Sequence, residues 1–338
     1  MIADKITLDH PFEFEAGGRL DSLEIVFHKS FDEYDGTRKV VWICHALTAN
    51  SNPEDWWPQM VGPGMLFDTE KYFVVCVNIL ASPYGSSGPA SVNPATGTPY
   101  LFSFPAVTVR DIIRTFIEVR KHLGIDSIDL LIGSSIGGYQ ACEWAVMEPD
   151  VIRKLVLMAT DVRVTPWVTA WCEAQRMALE ADPTFREAAD ISGGREGLKC
   201  ARAQALISYR SFEGYCKTQY EEDPDTLFAT RACSYERYQG EKLARRFDAY
   251  SYMYICNVLD SHNVGRNRGG VDAALATIKA DTTLIAIDSD YLFPARQMEV
   301  IATKIPGARL YTISSDFGHD GFLLESARLR EIIAPLLG

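Results

Sequence analysis

The chain has 338 residues, of which 47% are hydrophobic and 23% charged, so it can bury a substantial core in one large domain or two smaller ones. Its net charge of -12, spread along the chain, argues for a soluble protein and against nucleic acid as the main partner. No stretch approaches the about 20 apolar residues that span a bilayer, and MIADKITLDHPFEFEAGG lacks a basic segment ahead of an apolar one, so a cytoplasmic protein with no membrane partner is expected.

Along the chain, FEFEAGG and LDSLEIVFHKS alternate apolar and polar residues and read as short strands in the first 37 residues. KVVWICHAL (39 to 47) and KYFVVCVNIL (71 to 80) are near-continuous apolar runs, as expected of a parallel sheet covered on both faces. Residues 81 to 105, rich in Gly, Pro, Ser and Asn, read as a long loop. A helix is predicted from Thr108 to Leu123, closed by Gly124, followed by a strand in SIDLLIGSS and a second helix stopped by Pro149. KLVLMAT (154 to 160) is a further strand.

Strand and helix alternation then lapses for more than a hundred residues. WVTAWCEAQRMALEA, GLKCARAQALISYRSF and ACSYERYQGEKLARRFDAYSYMYICNVLDSH carry helical periodicity instead and read as an inserted helical block. Strand pattern resumes at TTLIAI, a helix follows near 295 to 305, ARLYTISS is the last strand, and a helix is expected over 321 to 336. Such alternation predicts a mostly parallel, doubly wound α/β sheet whose ligands bind at its carboxyl edge, under the inserted helices. The division expected is a core of 1–165 and 272–338 and a helical lid of 166–271. The cysteines at 44, 76, 142, 172, 200, 216, 233 and 256 are scattered with no CxxC, which fits structural thiols in a reducing compartment rather than disulfides or zinc ligands.

Gly133-Ser134-Ser135-Ile136-Gly137 fits G-x-S-x-G between a strand and a helix, where a serine nucleophile sits on a strained turn and glycines let strand and helix pass closely. Serines that merely cap a helix would read the same over five residues. The rest of the chain supplies the partners a nucleophile needs, in the order Ser, Asp, His. TLIAIDSDYLFP ends a strand at Asp288 and Asp290, with Asp290 preferred as the orienting carboxylate, and LYTISSDFGHDGFL places His319, the base, before the final helix. The N–H of Ile136 and that of Leu47, in the loop CHALT, are the candidate oxyanion donors, and His45 reads as a brace for that loop.

With these in place the chain resembles the homoserine O-acetyltransferases of methionine biosynthesis, members of the α/β-hydrolase superfamily. The resemblance runs nearly end to end, through CHALTANS, YGSSGPASVNPATGTPY, GSSIGGYQACEWA, SYRS, YQGEKLARRFDAYSY, DSHNVGRNRGG, SDYLFP and GHDGFL among others. It implies an α/β-hydrolase fold with an inserted lid, an acyl-carrying Ser135, Asp290 and His319 as its partners, and Arg210 and Asp320 as the groups that hold a zwitterionic amino acid. It also implies acetyl-CoA and L-homoserine as substrates, ping-pong transfer without metal or bound cofactor, and a homodimer through the lid helices.

Ser134, where the family usually has glycine, and Ala81-Ser82-Pro83 depart from the family pattern and are expected to line the acyl side of the pocket. They leave succinyl transfer and serine acylation as alternatives. A carboxylesterase would need the same triad but no paired Arg and Asp, and a non-catalytic relative would lack a triad member.

Overall fold

The computed structural model describes residues 1–338. Its strands are β1 (Ile2–Thr7), β2 (Phe12–Glu13), β3 (Arg19–Leu20), β4 (Glu24–Lys29), β5 (Val40–Cys44), β6 (Phe73–Val77), β7 (Leu130–Ser134), β8 (Lys154–Met158), β9 (Asp281–Ile287) and β10 (Arg309–Ile313). β2 and β3 pair with each other, and the rest form one sheet in the order β1-β4-β6-β5-β7-β8-β9-β10. From β6 to β10 the neighbours run parallel, while β1 and β4 make an antiparallel edge.

The apolar runs VVWIC and FVVCV are buried throughout, as the sequence leads one to expect of strands covered on both faces. Val40, Trp42 and Cys44 enter one core and Val41 and Ile43 the other, following the two-residue period of a strand. β5 stops at Cys44, short of Leu47, because the chain there leaves the ladder and turns over the start of the helix Ile136–Met147. β5 passes the chain to β6 on one side and β7 passes it to β8 on the other. A crevice therefore opens above the carboxyl ends of β5 and β7, where Cys44 pairs with Gly133.

Two helices, Val109–His122 and Ile136–Met147, pack on the face of Trp42. The first begins in a capping box: the Asp111 N–H donates to Thr108 Oγ1 at 3.2 Å and the Thr108 N–H to Asp111 Oδ2 at 2.9 Å. Trp144 meets Trp42 edge-on at 4.8 Å, and Phe116 lies 5.8 Å from Trp144. Beside them the buried Glu143 accepts from Arg110 at 3.0 Å and Arg268 at 2.6 Å, tying both helices to the segment before β9.

Between β8 and β9 the chain forms helices Pro166–Glu180, Arg195–Tyr209, Phe212–Gln219, Arg231–Ala244 and Ala249–Asp260. Leu179, Leu198, Tyr250 and Ile255 from these helices belong to the same apolar cluster as the sheet, so the insertion is welded to the core. The long loop 81–105 is held down by its aromatics: Phe102 packs on Phe185 and Tyr250 at 5.0 and 5.1 Å, and the Tyr254 hydroxyl donates to Phe104 O at 2.5 Å. The helix expected over 321–336 is instead three pieces, Gly321–Leu324, Ser326–Ile333 and a 3₁₀ turn Ala334–Leu337. Glu325, at ψ 44, interrupts it, and Pro335 cannot donate to continue an α-helix. No helix is long and apolar enough to cross a membrane.

Candidate active site

Ser135 sits between β7 and the helix Ile136–Met147 with φ 57 and ψ -128, a backbone conformation that costs about 1 to 3 kcal/mol in a non-glycine residue. Its surroundings fix it there. The Ser135 N–H donates to Met158 O at 3.1 Å, and Ser135 O accepts from the Thr160 hydroxyl at 2.7 Å. A β-carbon on Gly133 would fall 2.0 Å from Gly137 O, and one on Gly137 would fall 2.2 Å from Cys44 O, so the pattern G-x-S-x-G is a steric requirement at both ends.

Asp290 and His319 come from the turns after β9 and β10. His319 Nδ1 lies 2.7 Å from Asp290 Oδ2, and both side chains are buried. The other oxygen, Oδ1, accepts from the N–H groups of Leu292 and Phe293 at 2.8 and 2.9 Å, so the carboxylate is anchored on both sides. Asp288 is exposed and accepts from the Ser315 N–H, away from His319. The imidazole is wedged between Phe293 and Phe322, at 5.2 and 5.3 Å. Ser135 and His319 line the same cleft, of about 440 Å³. A larger groove of about 1010 Å³ near Asp161, Gly270 and Lys304 includes none of these groups.

His45 acts as the loop's brace. Its Nδ1 is 2.9 Å from Ala46 O, its Nε2 accepts from the Ile79 N–H at 3.2 Å, and burial pushes its pKa down to about 4. That holds the ring neutral and leaves it no free nitrogen for chemistry. The loop so braced presents Leu47 beside Ser135 in the cleft wall. Neither the Leu47 nor the Ile136 N–H has an acceptor within the chain, and the latter lies in the first turn of a helix, where amides are left open.

Asp320 also lines the cleft, and Arg210 pairs with it at 3.2 Å from behind, outside the cleft lining. Burial pushes the Asp320 carboxyl up, and the Arg210 guanidinium pulls it back. Asp320 stands ahead of a helical turn but makes no capping bond, so its side chain is left for that pair. The segment carrying Arg210 touches the histidine loop directly, since Ser211 Oγ donates to Asp316 O and a β-carbon on Gly318 would meet Ser211 N at 2.6 Å.

Three basic residues that sequence reasoning missed, Arg202, Lys242 and Arg246, line the cleft as well. Helical spacing gives their face but not what that face looks onto; only the motif YQGEKLARRFDAYSY marked the neighbourhood. Ser134 and Ala81-Ser82-Pro83, expected on the acyl side, line neither cavity at Ser135. Ser134 ends β7 inside the sheet, paired with Met158, and Ala81 is buried against Gly88, so both substitutions are matters of packing.

A family model described as the α/β hydrolase fold matches residues 39–326. The homoserine O-acetyltransferase of Cyclobacterium marinum is 40% identical over 294 residues, which are 87% of this chain and 83% of that one. The crystal structure of a homoserine O-acetyltransferase from Bacillus anthracis superposes with a TM-score of 0.90 at 23% identity, covering 100% of this chain and 97% of that one. That of esterase E22 does so with a TM-score of 0.88 at 22% identity, covering 100% of each. At such identities the two structures speak for the fold alone, and a transferase and an esterase share it.

Proposed function

The chain belongs to the homoserine O-acetyltransferase family of α/β-hydrolase-fold proteins, and from that premise we propose that it transfers acetyl from acetyl-CoA to the hydroxyl of L-homoserine, a step in methionine biosynthesis, through an acyl-enzyme at Ser135. The observation that carries this reading is the convergence on one cleft of Ser135, the Asp290-bound His319, and Asp320 backed by Arg210.

His319 takes the proton of Ser135 as its oxygen attacks the thioester carbonyl, and Asp290 orients the ring and stabilises the imidazolium. The N–H groups of Leu47 and Ile136 hold the oxyanion. As the tetrahedral intermediate collapses the carbon–sulfur bond breaks, and His319 returns the proton to the thiolate of CoA. Homoserine then binds, His319 draws the proton from its hydroxyl as the oxygen attacks the acyl carbon, and on collapse the bond to Ser135 Oγ breaks and His319 returns the proton to that oxygen.

Arg210 and Asp320 neutralise one another without ligand; the ammonium of a zwitterion pairs with Asp320 in the cleft and its carboxylate with Arg210, which turns in from behind Asp320 to meet it, so one ion pair is exchanged for two. Of the three cations that line the cleft, Lys242 and Arg246 suit the phosphates of CoA. We place the enzyme in the cytoplasm, because all eight cysteines are free thiols. We assign it a homodimer through the lid, where Leu227 and Phe228 are 85% and 76% exposed.

The test is to incubate the protein with acetyl-CoA or succinyl-CoA, each with homoserine or serine, and to follow CoA release together with the acylated product. O-acetylhomoserine as the dominant product, lost in Ser135→Ala, is expected. CoA release without an acylated amino acid would make the protein a hydrolase like the esterase whose fold it shares.

A further inference from the structure

Two unlike cavities meet at Ser135. The open cleft contains His319, Asp320 and the basic side chains. A second, small pocket of about 20 Å³ reaches Ser135 and Leu47 but not His319, and its wall includes Val168, Trp171, Leu259, Leu292 and Phe293.

The stereochemistry of acyl transfer assigns the two. A tetrahedral carbon on Ser135 carries three further groups: an oxyanion, a leaving or attacking heteroatom, and the acyl substituent. His319 must exchange a proton with the heteroatom, which therefore lies in the open cleft. The oxyanion turns to the N–H groups of Leu47 and Ile136. The acyl substituent is left facing the small pocket.

We infer that this pocket is the acyl-chain site, sized for the methyl of an acetyl group, and that Trp171 sets its depth. The inference rests on the reading of Ser135 as nucleophile. A volume of about 20 Å³ accommodates one group of water size, which needs about 10 to 15 Å³, and leaves no room for further carbons. The pocket is also wrong for a succinyl carboxylate. No basic side chain lines it, and the Ser208 hydroxyl already donates to Ala205 O at 2.7 Å.

Beyond the pocket lies a second cleft of about 500 Å³ that shares Trp171, Ser208, Leu292 and Phe293 with it, so these four side chains are the partition between them. Leu292 and Phe293 are fixed by their amide bonds to Asp290, and Ser208 is small and buried. Trp171 is the large, partly exposed member, resting edge-on against Trp167 at 5.8 Å. Cutting it back joins the pocket to the cleft.

The experiment uses p-nitrophenyl acetate, butyrate and hexanoate, so that acylation is read without homoserine. Ser135 Oγ bonds to the acyl carbon as the bond to p-nitrophenolate breaks, so the rate of the first, stoichiometric burst of p-nitrophenolate reads acylation alone. Wild-type protein is expected to prefer acetate over butyrate by at least about tenfold, the effect of one or two methylenes in a closed pocket. Trp171→Ala and the milder Trp171→Leu should shift the hexanoate-to-acetate ratio upward by about tenfold or more. Equal wild-type rates on acetate and butyrate, or an unchanged ratio in folded Trp171 variants, would overturn the assignment. Undiminished nitrophenol release by Ser135→Ala would instead sink the nucleophile reading on which it rests.

Discussion

Gly318 lies at φ 62 with Ser211 N, Arg210 C and Tyr209 O all within 2.9 Å of where its β-carbon would be. Because the next residue is His319, Gly318→Ala should move the imidazole off Ser135 and lower kcat by about 100-fold, the effect of a displacement of about 1 Å at a catalytic group. Circular dichroism would confirm that the fold survives; an unchanged kcat would mean that the lid contact does not position the histidine. Ser135 and Asp290 were legible in the sequence because each follows a strong apolar run at the sheet's carboxyl edge, and His319 because it completes the order Ser, Asp, His in a Gly-flanked loop after a late strand. Arg202, Lys242 and Trp171 were not, since periodicity in an aromatic-rich helix tells which face is apolar and not which cavity it borders. His45 braces the loop CHALT as its place there predicts, with both ring nitrogens engaged by backbone.

The helices Val109–His122 and Ile136–Met147 and the segment before β9 are joined by the buried carboxylate of Glu143. Burial pushes its carboxyl up, and Arg268 and Arg110 counter that. Arg268→Ala should therefore destabilise the fold by about 1.5 to 3 kcal/mol, since Arg110 alone then faces the buried Glu143, whereas Glu143→Met combined with it should recover part of the loss by removing the buried carboxylate, Arg110 keeping its pair with Glu15. Urea melts of the four proteins give the coupling, and simple additivity would refute it. In the helix Arg231–Ala244 and just beyond it, Lys242 and Arg246 face the cleft mouth. Lys242→Ala is expected to raise KM for acetyl-CoA several-fold at low salt and to leave p-nitrophenyl acetate cleavage unchanged; a common effect on both would remove the phosphate contact. Strands and long helices could be read from runs and periods. What could not was tertiary in origin: where β5 leaves the ladder to clear Gly137, and how Glu325 breaks the last helix, a residue that locally favours helix.

For the whole molecule, burial holds His45 at about 4 and His262 at about 3, below their ordinary 6.5. The unfolded chain thus binds protons that the folded one refuses, so stability is complete above pH 6.5 and is lost as pH falls toward 4, by about 1.4 kcal/mol per pH unit for each histidine. His262→Phe, which keeps the stacking on Tyr139, should flatten the slope of urea midpoint against pH between 4.5 and 6 by about one proton; an identical slope would contradict the account. At the same scale, sedimentation of Leu227→Asp with Phe228→Asp should show monomers if those exposed lid residues join two copies, and unaltered dimers would place the interface elsewhere. On the proposed mechanism, acyl transfer passes through Ser135, and the transferase reading further requires that the acyl-enzyme wait for homoserine instead of losing its acyl group to water. Its most direct test is mass spectrometry of the protein mixed with acetyl-CoA alone and then chased with homoserine. One acetyl group on the Ser135 peptide, persisting until homoserine is added and then appearing as O-acetylhomoserine, is the predicted result; an adduct on another residue, or one lost to water equally fast with and without homoserine, would contradict it.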